Sequence, residues 1–468
     1  MSFVLTLKLK TEIYHEHKIN KSFNVAVRIY NSLLSHEMKK LKALNNNQEY
    51  KDLLYKKGKS KEDYQILNKF RKDYNISEFD FINDIKNIRN NYKNNMSSQV
   101  GQKLAKRLYK SFEKYFYSNG NKIRYKRKDT IDSLEGASNY NGIIFDGKNV
   151  KYLDIVIPVI IKNNPYINEA LKNKVSYCRI LRKVSKKGYN YYVQLTLNGT
   201  SPSKIKAKSI GRVGIDIGTS TIALVSDNKV SISELSKDIK TYNKELRRID
   251  RKIERSKRTL NPNNYNDDKT LKKGKHKWII SNKCKRLFHK RSYIYQTIIN
   301  KRKYSYELLS NEILSLGNKI ILEDMNYKSL QMRKKETTKD SQGRYESKRR
   351  YGRSLLKHAP STLISILERK AYKYDAEVIK VDRYKYRASQ YNHITGEFTK
   401  HSLNERKYII GNYEIQRDLY SAFLLKCYKT KDEIDNELCL KEFEGFKDLH
   451  DKEIKRLKKQ KNISCIGY

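Results

Sequence analysis

A chain of 468 residues is long enough for two or three domains with sizeable cores. It carries 101 Lys and Arg against 51 Asp and Glu, a formal net charge of +50 that repels itself unless a polyanion neutralises it. Nucleic acid is the partner this selects; a membrane surface fits less well, because the charge is spread along the chain rather than gathered on one amphipathic helix. The longest strongly apolar run, residues 155–161, contains Pro158 and is too short to span a bilayer, which excludes a helical membrane protein. Five cysteines, none in a Cys-x-x-Cys pair, exclude a disulfide scaffold and point to a reducing cytosol.

The first ten residues alternate apolar and polar and read as a strand. From residue 17 to 118 the pattern is helical. Its clearest stripe is Val100, Leu104, Leu108, Phe112 and Phe116, spaced by four. Lys103, Lys106, Arg107 and Lys110 fill much of the outside of that helix, and this bias toward cations suggests a polyanion there. Strand signals return at 122–128, where Lys122, Arg124 and Lys126 make a segment basic on both faces. An Asp-Gly turn at 146–147 marks one hairpin, and Ser185-Lys-Lys-Gly188 between 177–184 and 191–197 marks another. Residues 1–16 and 119–199 therefore read as a β-barrel-like domain with a helical lobe, 17–118, inserted in it. Residues 200–210, polar and small, read as a linker.

Beyond the linker, strands are expected at 213–217, 221–225 and near Val230, then helices at 233–258 and 275–316. A strand at 320–323, a helix at 361–374 and a strand at 377–381 follow. A β-meander followed by alternating elements predicts an RNase H-like α/β fold over 211–390 and 412–440. Residues 441–468 read as a charged, solvated helical tail.

Three carboxylates stand out in this half. Asp216 interrupts the apolar run Val-Gly-Ile-Asp-Ile-Gly, Glu323 ends Lys-Ile-Ile-Leu-Glu, and Asp418 opens a helix-like stretch. Strand ends fix the direction of a carboxylate, and three from distant sequence can converge on two Mg²⁺ or Mn²⁺ ions, which take oxygen ligands and clamp a phosphodiester. Other readings stay open at this point. Gly-Ile-Asp-Ile-Gly-Thr also resembles the first phosphate loop of the actin-like ATPases, which share the same meander, and a buried Asp in a strand can be a structural acceptor. A strand-joining transposase of RNase H-like fold would carry similar carboxylates.

With those residues in view, the chain resembles the TnpB family of transposon-encoded RNA-guided nucleases and their relatives, the miniature type V CRISPR effectors. Asp216 lies in a RuvC-I-like Gly-Ile-Asp-Ile-Gly, Glu323 in a RuvC-II-like Ile-Ile-Leu-Glu-Asp-Met, and Arg417-Asp418 with Ser421-Ala422 is similar to RuvC-III. Tyr420 replaces the family's Asn and Ser421 its first Ala. The resemblance implies Asp216, Glu323 and Asp418 as catalytic metal ligands for two Mg²⁺ or Mn²⁺ ions. It implies a guide RNA from the flanking locus and a double-stranded DNA target with an adjacent motif, sequence being read by base pairing. Some miniature relatives dimerise, so a homodimer is compatible with it. A guided DNA-binding protein, repressor-like and without efficient cleavage, is the alternative.

The family's two Cys-x-x-Cys pairs are missing between Gln390 and Asp418. His393 and His401 without thiolates make a poor zinc set, so zinc is not expected. Residues 391–411 are read as a cysteine-free remnant of that zinc ribbon, held in a hairpin by Tyr391, Phe398, Tyr408 and Tyr413. The basic segment 333–353, with Arg333, Lys334, Arg349 and Arg350, reads either as a solvated loop or as a lid or strand guide, and the resemblance implies a place beside the nuclease cleft.

Overall fold

The computed structural model describes residues 2–117, 122–202, 209–332, 336, 338, 341–342, 351–402, 405–430 and 433–459. The chain divides into two compact units, Met1–Lys204 and Ile205–Tyr468.

In the first unit, strand β1 (Ser2–Leu9) is followed by helices α1 (Ile13–Leu44), α2 (Gln48–Tyr55), α3 (Lys61–Asp73), α4 (Glu78–Asn90) and α5 (Ser98–Tyr117). Strands β2 (Ser133–Glu135), β3 (Ile143–Phe145), β4 (Asn149–Tyr152) and β5 (Ile155–Ile160) come next, then α6 (Pro165–Leu171), β6 (Val175–Val184) and β7 (Tyr189–Asn198). The seven strands form one sheet in the order β2-β6-β7-β1-β5-β4-β3. It is nearly closed: the Gly136 amide donates to Cys178 O on β6, and a Cβ at Gly136 would stand 3.3 Å from the Ile143 nitrogen on β3. β1 lies between β7 and β5, so the five helices form an excursion between the sheet's first strand and the rest. Helices α3 and α4 start on Ser-x-x-Asp capping boxes, Ser60 with Asp63 and Ser77 with Asp80. The stripe of α5 is buried at Val100, Leu104, Leu108 and Phe112, and Phe112 packs edge-on against Phe81 of α4.

Two expectations in this unit change. Helix α1 begins at Ile13, four residues before the predicted lobe. The segment 122–128 is not a strand, because a side chain takes the place of a ladder: Asn31 Nδ2 donates to Lys126 O at 2.8 Å, and the Lys126 amide donates to Asn31 Oδ1 at 2.8 Å.

In the second unit, β8 (Arg212–Ile217), β9 (Thr221–Val225) and β10 (Val230–Glu234) make an antiparallel meander. Helices α7 (Asn243–Leu260) and α8 (Asn282–Leu316) lead to β11 (Lys319–Glu323). Helices α9 (Tyr327–Leu330), α10 (Gly352–His358) and α11 (Pro360–Tyr374) precede β12 (Glu377–Val381), and α12 (Arg383–Tyr386) follows it. A separate hairpin, β13 (Lys407–Ile410) and β14 (Tyr413–Gln416), runs into α13 (Arg417–Lys426) and then α14 (Asn436–Lys458). The main sheet has the order β10-β9-β8-β11-β12, with β11 parallel to both β8 and β12. Its three inner strands are buried on both faces. Val213, Ile215, Leu224, Ile320 and Leu322 pack with Ile313, Leu363 and Leu367 of α8 and α11. Ala223, Val225, Ile321 and Val381 pack with α13 and α14.

The helix expected from residue 233 starts at Asn243, because β10 runs to Glu234 and a short 3₁₀ turn intervenes; the next starts at Asn282 rather than 275. The larger correction is the tail. Helix α14 is not a solvated appendage: it buries Cys439, Phe443, Phe446, Ile454 and Leu457. Buried Glu453 accepts a hydrogen bond from the Ile232 amide at 2.8 Å, on the outer strand of the sheet. Its many lysines occupy the other face. Among the described residues no helix is long and apolar enough to cross a membrane.

Burial of a large apolar side chain is worth about 1.5–3 kcal/mol, so Phe443, Phe446, Ile454 and Leu457 together approach the roughly 5–15 kcal/mol net stability of a domain. A chain ending at Asp435 is therefore expected to lose the cooperative unfolding of the second unit and to aggregate. A soluble truncated chain with an unchanged thermal transition would contradict this packing.

Candidate active site

Side chains alternate across a strand, so Gly214 and Asp216 share one face of β8 and Ile321 and Glu323 share one face of β11. The parallel register pairs Leu322 with Ile215, and one step further brings Glu323 beside Asp216 at the carboxyl ends of adjacent strands. Helix α13 lies on that same face. A Cβ at Gly214 would overlap the Ala422 carbonyl oxygen and the Lys426 amide nitrogen, and would stand 3.0 Å from Lys426 Cα. Only a residue without a side chain permits this approach. It carries Asp418, in the first turn of α13, toward the strand ends.

Asp216 feels the result. Burial, with the charges of Asp418 and Glu323, holds its carboxyl well above the usual carboxylate range, and Arg417 offsets this only in part. Burial also raises Glu323, with the Arg383 guanidinium pulling the other way. Arg417 donates through Nε to Asp418 Oδ1 at 3.0 Å and through a terminal nitrogen to Glu405 O at 3.0 Å. Tyr327 donates from its hydroxyl to Ile217 O at 3.1 Å, and burial together with Asp216 and Glu323 raises its phenol.

The start of α13 is held from the tail. The Gln416 side chain caps the helix by accepting from the Leu419 amide at 2.7 Å, while the Gln416 amide donates to His450 Nε2 at 3.1 Å. His450 Nδ1 lies 2.7 Å from the Tyr413 hydroxyl. Burial lowers the His450 pKa, which favours the neutral ring this acceptor role requires.

The three predicted carboxylates are thus brought into one electrostatic cluster, from β8, β11 and α13. They do not converge on a single point. Among the described residues the set of three His, Cys, Asp or Glu ligand atoms lying within 4.8 Å of one another is found elsewhere, at His36, Glu37 and Asp84. An all-oxygen donor set whose negative charge is under-compensated fits Mg²⁺ or Mn²⁺. Tyr327 and Arg383 were not singled out from the sequence. Tyr327 lies four residues past Glu323, and Arg383 just past the end of β12, a place that points to the site only once β12 is known to flank β11.

The histidines of the cysteine-free segment go separate ways. His393 is fully buried with its Nδ1 2.8 Å from the Tyr420 hydroxyl, and His401 stacks on Tyr408 with ring centroids 4.0 Å apart. Tyr391 and Phe398 pair their rings at 4.9 Å, as Tyr413 reaches toward α14. Of the predicted basic contacts, Lys103, Lys106, Arg107 and Lys110 line one cavity of the first unit, of about 450 Å³. Several are already paired: Lys106 with Glu78 at 2.7 Å and Lys103 with Glu135 at 3.6 Å, while Arg107 donates to Ser133 Oγ at 3.4 Å. Lys122 and Arg124 line another cavity with Tyr115 and Tyr125, and Lys126 sits over the Tyr30 ring. Arg333, Lys334, Arg349 and Arg350 lie outside the described residues.

Two outcomes are expected. Gly214→Ala should cost the second unit on the order of 3 kcal/mol or more, read by chemical denaturation, since backbone rather than a flexible side chain must move. Asp216→Asn should stabilise the metal-free protein at neutral pH. A carboxyl whose folded pKa lies above its unfolded value withdraws stability as pH rises through that window, and the amide removes this loss. A gain of a few degrees in melting temperature in EDTA at pH 7, vanishing near pH 4, is predicted; equal melting at both pH values would refute the charge cluster.

No family model matches the chain, and no curated protein matches it. Among solved structures it is similar to that described as "Cryo-EM structure of the Cas12f1-sgRNA-target DNA complex", at 11% identity and a TM-score of 0.44, over 90% of this chain and 98% of that one. It is also similar to that described as "Cryo-EM structure of CRISPR-Cas12f Ternary Complex", at 14% identity and a TM-score of 0.27, over 90% and 83%.

Proposed function

We propose that the chain is an RNA-guided DNA endonuclease with one RuvC-like site on an RNase H-like fold, cutting by two-metal hydrolysis. The observation that carries the nuclease reading is that the charges of Glu323 and Asp418, from β11 and α13, both act on buried Asp216 of β8. The guided part rests on the motif resemblance and on a net charge of +50.

Asp216, which feels the charges of the other two carboxylates, would hold the metal ions together with Glu323 and Asp418. Mg²⁺ or Mn²⁺, when bound, supplies charge for the phosphate and acidity for an attacking water. Arg417 orients Asp418, and Arg383 tempers the charge on Glu323. Hydrolysis adds the water oxygen to phosphorus and breaks the bond to the 3′ oxygen, which takes up a proton; 5′-phosphate and 3′-hydroxyl ends result. The basic residues along α5 and at 122–126 hold phosphates, which gives affinity without sequence preference. Pairing with the guide gives specificity.

The experiment is to express the gene with its native flanking DNA, sequence the RNA that co-purifies, and assay cleavage of a matching duplex. One discrete RNA with an end matching flanking DNA is expected. Asp216→Ala or Glu323→Ala should abolish cutting, by 10³-fold or more on the order expected for a lost metal site, and leave RNA and target binding intact. Cleavage at the wild-type rate by either variant sinks the site. RNA in proportion to cellular abundance sinks the guided reading.

A further inference from the structure

Helix α1 and its C-terminal cap carry Met38, Leu41, Lys42 and Asn45, a spacing that puts the four on one face. With Tyr115 of α5 and the segment 122–125, that face encloses a cavity of about 760 Å³. Leu41 is buried, whereas Tyr115 and Tyr125 stand 39% and 57% exposed, so two aromatic rings keep much of their surface in water. The walls are held in place. Tyr115 packs edge-on against Phe116 with ring centroids 5.8 Å apart. Asn31 of α1 bonds both backbone groups of Lys126, which fixes the extended segment against the helix.

The charge of the lining has one sign. Lys42, Lys122 and Arg124 are part of it, and among the described residues no carboxylate is. None of these three has an ion-pair partner among the described residues, unlike Lys103 and Lys106, which sit beside Glu135 and Glu78. Exposed cations gathered without a counter-charge repel one another, and an anion relieves that repulsion. An occupant that is anionic at one end and flat and aromatic at the other matches both features. A nucleic-acid duplex does not: it offers phosphates, but its bases are stacked on each other and cannot lie on a tyrosine. An unpaired base can. Folded RNA exposes such bases in loops and bulges, whereas duplex DNA keeps them paired.

We propose that this cavity receives an unpaired RNA nucleotide, its base against Tyr115 and Tyr125 and its phosphate against Lys42, Lys122 and Arg124. The inference rests on the reading of RNA as the partner and goes past it. Phosphate contacts alone hold any strand, while this cavity distinguishes unpaired RNA from paired. Asn45 and Asn46 border the same space with amides that both donate and accept, as the edge of a base requires. No covalent bond is made or broken.

The test uses the full chain, freed of RNA by high salt and kept in EDTA. Fluorescence anisotropy compares a labelled single-stranded RNA without self-pairing and a blunt RNA duplex with the same number of phosphates. Tyr115→Ala and Tyr125→Ala should each weaken single-strand binding about tenfold and leave duplex binding unchanged, while Tyr115→Phe and Tyr125→Phe bind as the parent does. Arg124→Gln should weaken it too, and reduce the slope of log affinity against log salt by roughly 0.7, the share of one phosphate. Melting temperature reports folding, and the more exposed Tyr125 decides the matter if Tyr115→Ala does not fold. Ultraviolet crosslinking of the chain as purified with its RNA should leave a ribonucleotide on Tyr115 or Tyr125. Parent affinity for the single strand in folded Tyr125→Ala overturns the proposal, as does an equal loss for the duplex or a deoxyribonucleotide on the tyrosines. The guided reading is judged apart from this, by the identity of the co-purified RNA: heterogeneous RNA with the tyrosine effect intact sinks that reading and leaves this one standing.

Discussion

The second unit depends on the contact between the backbone of Gly214 and the backbone of helix α13. A strand and a helix ordinarily keep a side-chain layer between them; here the Ala422 carbonyl and the Lys426 amide reach the strand directly. Three consequences follow from that one missing Cβ. The helix is close enough for Asp418 to share a field with Asp216 and Glu323. Lys426, 6% exposed, is drawn into a pair with Asp227 at 2.5 Å and Glu442 at 2.6 Å. Arg212, at the start of the strand, reaches the Tyr428 carbonyl at 2.9 Å beyond the helix's end.

The charges of the molecule pull in opposite directions. Over its whole length the chain carries a large positive excess. At the sheet's carboxyl edge it gathers negative charge that its own arginines compensate only in part, and Asp216 shows the strain in its raised pKa. Such a cluster is unfavourable while its charge is uncompensated, so stability is given up locally at the strand ends.

The strands that position the carboxylates were legible because they are short apolar runs punctuated by Gly and Asn: β8, β9, β11 and β12 stand within a residue or two of their expected places. Two hairpins of the first unit, β3–β4 and β6–β7, were legible from Asp-Gly and Lys-Gly turns. Helix starts were not, where a strand or a 3₁₀ turn borrowed residues of helical composition, as at 233–242. The segment 122–128 has the alternation of a strand but finds its backbone partners in Asn31, far away in sequence. The tail was misread because its lysines dominate its composition, while its buried face is spaced thinly through Cys439, Phe443, Phe446 and Leu457. Nothing local in the sequence announces that Gln416 will be tied to His450, nor that Glu37 and Asp84 will meet across two helices. Nor does it announce that a helix from two hundred residues on will lie against the backbone of Gly214.

Helix α14 follows all three carboxylates in chain order, and through His450 it holds the residue that caps the helix bearing Asp418. During synthesis, then, Asp216 and Glu323 emerge with their sheet incomplete on one face, and the third carboxylate gains its support only after residue 450 has left the ribosome. An unfinished chain already carries much of the positive excess but not the assembled acidic cluster. The order of elements along the polypeptide acts as a timer: the basic surface is made first, and the buried carboxylates are brought together last.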